Sequence, residues 1–254
     1  MKKIILAAAA VFALAAPVAL NAAEHIEIPE EEWSFNGVFG KFDQAQVQRG
    51  FQVYKDVCAA CHSLQYVSFR NFETLGYSEE QVKTLAAGYE VEDGPNEEGE
   101  MFKRKAKASD RLPKPFRNDQ AARLANGGAL PPDLSLMTKA REGGPNYVYH
   151  LLLGYDEPPA DFQLLEGLSY NKYFPGHQIG MTKQIQDGLV TFADGAPNDA
   201  AHIAKDVTAF LHWAAEPKLD ARHSTGFRVL LYAIVFAVLA YFLKRRIWAK
   251  LGDH

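Results

Sequence analysis

Residues 57–67 read VCAACHSLQYV and hold the two cysteines of the 254-residue chain. Two alanines separate Cys58 from Cys61, and His62 follows the second cysteine directly. Three kinds of site use such a group: a zinc site, a redox-active dithiol, and a covalent attachment point for haem. The choice among them decides the fold, because a large apolar prosthetic group would organise the rest of the chain around itself.

Haem attachment uses this motif most completely. A zinc site needs about four ligands, so a fourth would have to come from a distant residue. A thioredoxin-type dithiol is expected in a βαβ neighbourhood, which the helical pattern around Cys58 does not supply. In haem attachment each thiol adds to one vinyl group, and His62 is left facing the iron. We therefore predict one covalently bound haem c here, with an exposed disulfide as the alternative.

The N-terminal residues 1–23, MKKIILAAAAVFALAAPVALNAA, have the layout of a secretory signal peptide. Two lysines precede a short alanine-rich apolar run, which predicts removal near Ala22 or Ala23; an uncleaved anchor is the alternative. The stretch lacks the Arg- and Ser-rich composition of organelle transit peptides, which favours a bacterial periplasm. Export agrees with haem attachment, since an oxidising compartment is then left with no spare thiol.

An apolar run near the C-terminus, Val229–Leu243, has two interpretations. At about 1.5 Å per residue it spans roughly 22 Å, less than the roughly 30 Å of a hydrocarbon core, so it fits a buried core helix. However, Arg228 and Lys244 can extend their charges outward, and Phe227 and Trp248 are spaced as interfacial aromatics. These flanks favour a membrane-spanning helix.

The chain is thus predicted to have four parts. They are a removed signal peptide (1–23), a periplasmic haem domain (24–222), a transmembrane anchor (223–248) and a short cytoplasmic tail (249–254). Basic residues follow the apolar run at Lys244, Arg245, Arg246 and Lys250. By the positive-inside rule they place the C-terminus in the cytoplasm of a bacterial inner-membrane protein that crosses the lipid bilayer once.

The exported part is strongly acidic. The whole chain has a net charge of −4. Without Lys2, Lys3, Asp253 and the six basic residues from Arg222 onward, 19 basic and 30 acidic side chains remain, a net charge of −11. Such a surface argues against nucleic acid as a partner and favours a basic soluble protein.

The pattern along the exported domain predicts a mainly α fold with long loops. Apolar residues repeat at helical spacing over 43–58 after a capping residue at Asp43, so a helix delivers the cysteine motif. A second helix is predicted from Asn198 or Asp199 to a stop at Pro217. Weaker helices are predicted at Ser78–Ala87 and Pro145–Leu153. The segments between them are rich in Pro and Gly, and no convincing strand pattern is present.

The second axial ligand is predicted to be Met181. It lies in the Pro- and Gly-flanked stretch YFPGHQIGMT, 119 residues after His62. Met101 lies in a charged stretch, Met137 reads as a core residue, and His177 is the rival ligand. Ligation by histidine and methionine raises the reduction potential and leaves no open position for a substrate, which predicts an electron carrier rather than a catalyst.

Several stretches, in this order, resemble the cytochrome c1 family, the haem c subunit of the cytochrome bc1 complex (ubiquinol–cytochrome c reductase). They are RGFQVYKDVCAACHSL, NGGALPPDLS, KAREGGPNYV, GYDEPP, YFPGHQIGM and IAKDVTAFLHWAAEP, followed by the C-terminal anchor. The resemblance covers essentially the whole mature length. It is more specific than a lone haem motif, which many unrelated carriers share.

The resemblance implies a role for each matching residue. Cys58 and Cys61 would form the thioethers, His62 and Met181 would bind the iron, and Arg141 would bind a haem propionate. The implied haem pocket also includes Tyr147, Asn126, Ala129, Pro131, Pro132, Ile179 and Gly180. Some bacterial relatives have a further disulfide bracing the loop before the methionine, which this chain lacks. We therefore expect packing within FPGHQIG to hold Met181 in place.

The resemblance also implies a place in respiratory electron transport. The subunit would accept one electron from the Rieske iron–sulfur protein, after ubiquinol oxidation at cytochrome b. It would pass that electron to a soluble or tethered c-type cytochrome, within a dimeric, proton-translocating oxidoreductase. The subunit itself would have no catalytic residues. Two alternatives remain: a membrane-tethered haem sensor with an open sixth position, and an anchored cytochrome that works outside a complex.

Overall fold

The computed structural model describes residues 26–249. The predicted signal peptide and all of the predicted tail except Ala249 lie outside the described residues. Within the described range the chain is mainly helical, with six α-helices, one 3-10 helix, one π-helical turn and four short strands. The predicted fold class is confirmed.

The elements have the following bounds. The α-helices are α1 (Gln44–Val53), α2 (Glu79–Ala87), α3 (Asp119–Ala125), α4 (Gly144–Leu153), α5 (Ala200–Ala215) and α6 (Leu219–Trp248). The π-helical turn is Tyr54–Cys58 and the 3-10 helix is Phe69–Leu75. The strands are β1 (Glu90–Asp93), β2 (Phe102–Lys105), β3 (Ser169–Tyr170) and β4 (Gln178–Ile179).

Helix α1 begins as the sequence predicts but ends earlier. Asp43 caps it by accepting a hydrogen bond from the Gln46 backbone N–H at 3.2 Å. The α-helix ends at Val53, and the chain continues as the π-helical turn Tyr54–Cys58. A helix therefore leads into the cysteine motif as predicted, but its last part is π-helical and not α-helical. The wider turn places Cys58 at the end of an irregular element, a feature frequent at functional sites.

Helices α1 and α5 pack closely and form the centre of the core. A Cβ at Gly50 would lie 2.0 Å from the carbonyl oxygen of Asp206, so only glycine permits this approach. The fully buried carboxylate of Asp206 accepts a hydrogen bond from Arg49 Nε at 2.7 Å, which compensates the charge buried at the same crossing. A cluster of aromatic rings packs beside this crossing, with edge-on, tilted and stacked contacts among Phe51, Phe72, Phe210 and Trp213. The crossing fixes the direction in which α1 approaches the cysteine motif.

The strands were not predicted, and their composition explains why. Strands β1 and β2 pair antiparallel, with Glu90 opposite Lys105 and Glu92 opposite Lys103. Opposite charges therefore stabilise this hairpin, and the apolar alternation that marks a half-buried strand is missing. Strands β3 and β4 have two residues each and pair just before Met181. Helix α3 and the 3-10 helix, each of seven residues, were also missed.

Helix α6 has the properties of a membrane span. It runs for 30 residues, its most apolar part has a mean hydropathy of 2.1, and none of that part is buried in the described protein. A core helix would be covered by other elements, so the interpretation as a buried helix does not fit. At about 1.5 Å per residue the helix is roughly 45 Å long, enough to cross a bilayer.

Candidate functional site

A largely apolar cavity of about 710 Å³ lies between α4, α5, the π-helical turn and the loops that carry the site motifs. Its volume is within the roughly 300–1,000 Å³ usual for cofactor sites. Every residue predicted for the haem site lines it: Cys58, Cys61, His62, Asn126, Ala129, Pro131, Pro132, Arg141, Tyr147, Ile179, Gly180 and Met181. Segments far apart in sequence therefore meet around one space.

A tight turn after the π-helical turn presents the Cys-x-x-Cys-His motif to the cavity. The backbone N–H groups of Cys61 and His62 both donate to the carbonyl of Cys58, at 3.1 and 2.9 Å. His62 Nδ1 lies 2.8 Å from the carbonyl oxygen of Pro132. Because a carbonyl only accepts, Nδ1 must carry the proton, and Nε2 is left with its lone pair. The tautomer is the one that an Nε2 metal ligand requires.

The protonation states of the motif fit a bound iron porphyrin better than a redox dithiol. Burial lowers the pKa of His62 below its usual value, although Pro132 and Asp133 oppose the shift. The imidazole is thus neutral, the form that binds a metal. Burial, with a smaller effect of Cys61, raises the pKa of Cys58 to about 12. Reactive dithiols depend on a lowered thiol pKa, so Cys58 lacks the property that such a site needs.

Asp133 fixes the segment whose carbonyl orients His62. Its carboxylate accepts hydrogen bonds from Ser63 Oγ at 2.7 Å and from the backbone N–H groups of Gln65 and Ser135, both at 2.9 Å. Although burial raises the pKa of Asp133, these hydrogen bonds hold it below its usual value, so the group stays charged. The Leu134 N–H also donates to the Ser63 carbonyl at 2.9 Å. Residues 62–65 and 132–135 are thereby held against each other.

Met181 is held by a different set of contacts. It lies two residues after the end of β4, and its carbonyl accepts a hydrogen bond from the Tyr155 hydroxyl at 2.9 Å. The fully buried Asn171 connects this loop to α4, since its Nδ2 donates to the carbonyl of Leu151 at 2.8 Å. Its Oδ1 accepts from the Tyr173 N–H at 3.0 Å. Asn171 is therefore the point at which the methionine loop is fastened to the helix.

Polar groups outside FPGHQIG also hold this loop. Packing within FPGHQIG remains our prediction for what replaces the disulfide of some relatives, and hydrogen bonds from Tyr155 and Asn171, both outside that stretch, act in addition. An ion pair between Lys172 and Asp156 at 2.5 Å adds a surface connection across the same loop pair. A pattern of Pro and Gly indicates a loop but does not show which distant polar groups fasten it.

Among the rivals of Met181, His177 and Met101 are not lining residues of the cavity, whereas Met137 is. The His177 ring stacks on Tyr170 at 5.6 Å, and its Nδ1 lies 3.2 Å from the carbonyl of Asn171. Met101 is 55% exposed, in keeping with its charged surroundings. Met137, which we interpreted as a core residue, packs against the core and also lines the cavity. Its thioether is part of the apolar wall.

Arg141 places a cation at the edge of the cavity. It is an exposed residue that lines the cavity just before the glycine pair Gly143–Gly144, which opens α4 with positive φ angles of 79° and 54°. Burial raises the pKa of the neighbouring Tyr147, and the positive charge of Arg141 opposes that shift. A guanidinium at the rim of an apolar cavity suits a carboxylate ligand, because it forms strong paired hydrogen bonds.

Most of the remaining wall was not predicted as part of the site. The additional lining residues are Val57, Leu130, Leu134, Val148, Leu151, Leu152, Phe174, Thr182, Gln184, Ile185, Val207 and Leu211. Val207 and Leu211 lie on the apolar face of α5 that the sequence assigned to the core. That face is shared between core and cavity. Periodicity gives the signal for burial but does not distinguish the two.

The donor set fits a haem c. It comprises two thiols, a neutral imidazole with a free Nε2, a soft thioether and a rim guanidinium, in an otherwise apolar enclosure. Within residues 26–249 no group of three or more His, Cys, Asp or Glu side chains is placed to hold a metal ion. The motif is thus without the additional protein ligands that a four-coordinate zinc site would need in that range.

A mainly helical domain whose Cys-x-x-Cys-His motif shares an apolar cavity with a methionine loop belongs to the class of c-type cytochromes. More narrowly, the chain belongs to the Cytochrome C1 family, whose profile matches residues 33–251. The family assignment agrees with the resemblance seen in the sequence.

Individual relatives support the same family. The chain is 45% identical over 264 residues to cytochrome c1 of Rhodospirillum rubrum, covering 98% of this chain and 97% of the relative. It is 49% identical over 230 residues to a mitochondrial cytochrome c1 heme protein of Arabidopsis thaliana, covering 90% of this chain and 75% of the relative. It is 49% identical over 243 residues to the cytochrome b/c1 of Bradyrhizobium diazoefficiens, covering 87% of this chain but only 35% of that longer relative.

Proposed function

We propose that the chain is a membrane-anchored monohaem c-type cytochrome that carries electrons within a cytochrome bc1 complex. The observation that supports this most directly is the gathering of all predicted haem-site residues around one cavity. Membership of the Cytochrome C1 family over residues 33–251 supports the assignment of the chain to this complex. When bound, haem c supplies a one-electron redox couple at its iron.

Each residue then has a defined task. Cys58 and Cys61 attach the group through thioethers, His62 offers the unprotonated Nε2, and Met181 offers its thioether sulfur. Arg141 neutralises a propionate at the rim. The apolar wall excludes water, and a soft thioether favours the reduced state. Because His62 and Met181 would together hold the iron, the subunit would have no substrate site of its own and would contribute to ubiquinol–cytochrome c oxidoreductase activity only within the complex.

The partners follow from the family and from charge. The chain accepts an electron from the Rieske iron–sulfur subunit, beside cytochrome b, in a dimeric complex. It delivers the electron to a basic soluble or tethered c-type cytochrome, because the part of the chain before Arg222, without Lys2 and Lys3, carries a net charge of −11. Long-range attraction is screened by salt, so the rate of electron transfer to the acceptor falls steeply with ionic strength. An unchanged rate at high salt would contradict acidic docking.

Helix α6 anchors the chain in a bacterial inner membrane. Its last turn carries Arg245 and Arg246, which by the positive-inside rule face the cytoplasm. The haem domain therefore lies in the periplasm, on the side where haem c attachment and electron delivery to a soluble carrier take place.

Isolation in mild detergent tests the proposal. We expect the chain to co-purify with a cytochrome b and an iron–sulfur subunit, and to show a low-spin reduced spectrum that carbon monoxide does not change. A high-spin reduced spectrum that responds to carbon monoxide would indicate an open sixth position and a gas-sensing role. Isolation of the haem protein without the other two subunits would indicate an anchored carrier outside a complex.

A further inference from the structure

Residues 37–40 form a tight turn that displays two large apolar side chains. Val38 is 70% exposed and Phe39 is 75% exposed. The aromatic residues on either side of the turn behave in the opposite way, since Trp33, Phe35 and Phe42 are all buried in the core. The exposure of Val38 and Phe39 is therefore confined to the tip of a segment that is otherwise well packed.

The turn has a defined backbone conformation. The Gly40 N–H donates to the Gly37 carbonyl at 3.2 Å, and the Lys41 N–H donates to the Ser34 carbonyl at 3.0 Å. Gly37 has a φ of 79°, and a Cβ at Gly40 would lie 2.3 Å from the Asn36 carbonyl oxygen. Glycine is required at both positions. The turn thus presents Val38 and Phe39 in one fixed direction.

The turn is attached to the first turns of α6. Asp220 accepts a hydrogen bond from the Phe42 N–H at 3.1 Å, and His223 Nδ1 donates to the Gly40 carbonyl at 2.8 Å. The Phe39 ring meets the Phe227 ring edge-on, with the centroids 5.7 Å apart. These contacts lie on both sides of Gly226, a residue that weakens a helix. The turn therefore contacts α6 on both sides of this glycine.

The position of the Phe39–Phe227 contact along α6 indicates which environment surrounds the 37–40 turn. Phe227 precedes the apolar run that begins at Val229 by two residues, or about 3 Å along the helix axis. Phe39 is therefore level with the point at which a membrane span starts. Aromatic side chains are enriched at this depth, where an apolar ring can leave water while the backbone remains hydrated.

We infer that the 37–40 turn is a second membrane contact, in which Val38 and Phe39 enter the interfacial layer of the bilayer that α6 crosses. The inference rests on the proposed anchoring by α6. Val38 and Phe39 are exposed apolar side chains beside a lipid-facing helix. Because the turn already holds them in one direction, they can enter the same lipid without a change of backbone conformation. Two points of attachment restrict the tilt of the haem domain at the membrane, and so fix the height at which its cavity meets soluble partners.

Site-directed spin labelling of the complex tests this contact. Both native thiols are consumed by haem attachment, so a Phe39→Cys variant carries a single reactive thiol; the unsubstituted chain must first be shown to take up no label. The labelled complex is reconstituted in vesicles of phosphatidylcholine with a minority of phosphatidylglycerol. Collision rates of the nitroxide with oxygen, which concentrates in lipid, and with a water-soluble nickel chelate are then compared.

Two further variants calibrate the measurement. Leu124→Cys labels an 88% exposed position on α3 in the haem domain, and Phe236→Cys labels a 74% exposed position inside the apolar run of α6. We expect the ratio of oxygen to nickel collisions at Phe39→Cys to be several-fold above that at Leu124→Cys and below that at Phe236→Cys. Val38→Cys should give the same result. The haem spectrum of each variant verifies that it has folded.

The other outcomes separate the possible failures. A ratio equal to that of Leu124→Cys would place the turn in water and overturn the inference, while a lipid-like ratio at Phe236→Cys would leave the anchor intact. Low collision rates with both reagents at Phe39→Cys would mean that another subunit covers the turn, which also overturns it. A water-like ratio at Phe236→Cys would instead contradict anchoring by α6.

Discussion

The two sides of the cavity, one with His62 and the other with Met181, the two proposed iron ligands, share one hydrogen-bonding feature and differ in the others. On the histidine side, the Tyr54 hydroxyl donates to the His62 carbonyl at 2.9 Å; on the methionine side, the Tyr155 hydroxyl donates to the Met181 carbonyl at 2.9 Å. Burial raises the pKa of both tyrosines, so both remain donors across the physiological pH range. The backbone carbonyl of each proposed ligand thus accepts a hydrogen bond from one tyrosine hydroxyl.

The remaining contacts hold the histidine side at several points, so that losing one leaves others in place, whereas the methionine side is held by few contacts. His62 is next to Cys61, its ring is hydrogen-bonded to the Pro132 carbonyl, and Asp133 joins the two segments by accepting two hydrogen bonds, from Ser63 Oγ and the Gln65 N–H. Met181 depends on Tyr155 and, through the rest of its loop, on Asn171. We infer that perturbations of similar size should release the methionine before they release the histidine.

The largest expected effect comes from removing the methionine itself. A Met181→Leu substitution keeps an apolar side chain of similar size but loses the thioether sulfur. We expect the reduction potential to fall by on the order of 0.1 V or more, within the roughly 0.8 V that axial ligands control. The reduced protein should also bind carbon monoxide. Redox titration and carbon monoxide difference spectra measure the two effects.

Met101→Leu is the matched control, since Met101 is 55% exposed and should leave both measurements unchanged. An unaltered potential and no carbon monoxide binding in Met181→Leu would move the ligand to His177. That result would also remove the comparison between the two sides, because the methionine loop would no longer hold a ligand.

A smaller but still large effect is expected at Asn171. An Asn171→Ala substitution leaves the Leu151 carbonyl and the Tyr173 N–H without their partner in a buried place. At about 1–3 kcal/mol for each of the two groups, the free energy of unfolding should fall by about 2–6 kcal/mol. A fraction of the reduced protein should then bind carbon monoxide. Denaturant unfolding and carbon monoxide spectra check the two parts.

Asn96→Ala provides a control of the same chemistry. Asn96 also makes two hydrogen bonds to the backbone, since its Oδ1 accepts from the N–H groups of Glu98 and Glu100, but it lies in the exposed turn between β1 and β2. It should cost less stability and leave carbon monoxide binding absent. If Asn171→Ala lowered stability without any carbon monoxide binding, Asn171 would support the fold but not the position of Met181.

The same contrast shows what the sequence could and could not predict. The histidine side is local: Cys58, Cys61 and His62 lie within five residues, so their chemistry is readable from spacing alone. Helix α1 and the cap at Asp43 were predicted because they depend on nearest neighbours. The brace at Asn171 depends on a contact with Leu151, 20 residues away, and a lone asparagine in a polar loop gives no sign of it.

The Pro- and Gly-flanked loop predicted Met181, family resemblance supplied the rim residues, and all of them line the one cavity. Sequence reasoning did not find that α5 faces both the core and the cavity, because an apolar stripe looks the same in either case. It also missed strands β1 and β2, whose pairing rests on opposite charges. Features that depend on the local sequence pattern could be predicted, and features that depend on tertiary contacts could not.

On the histidine side, Asp133→Asn is expected to cost stability without releasing the ligand. Asp133 Oδ2 accepts from both Ser63 Oγ and the Gln65 N–H, and an amide cannot accept at both of its terminal atoms. Leaving one donor unpaired should lower the free energy of unfolding by about 1–3 kcal/mol. The reduced spectrum should stay low-spin and insensitive to carbon monoxide. Carbon monoxide binding in this variant would contradict the redundancy of the histidine side.

The smallest and most discriminating test exchanges the two tyrosines for phenylalanine. Each of Tyr54→Phe and Tyr155→Phe removes one hydroxyl that donates at 2.9 Å, so each should cost about 0.5–1.5 kcal/mol of stability. In Tyr155→Phe the lost hydrogen bond weakens the methionine loop. The fraction of molecules in which Met181 has left the iron should therefore rise by roughly 2- to 10-fold. In Tyr54→Phe the ring of His62 remains bonded to Pro132, so the histidine should stay in place. Stopped-flow measurement of carbon monoxide binding to the reduced proteins compares the two, and equal rates in both variants would show that the sides are equally secured.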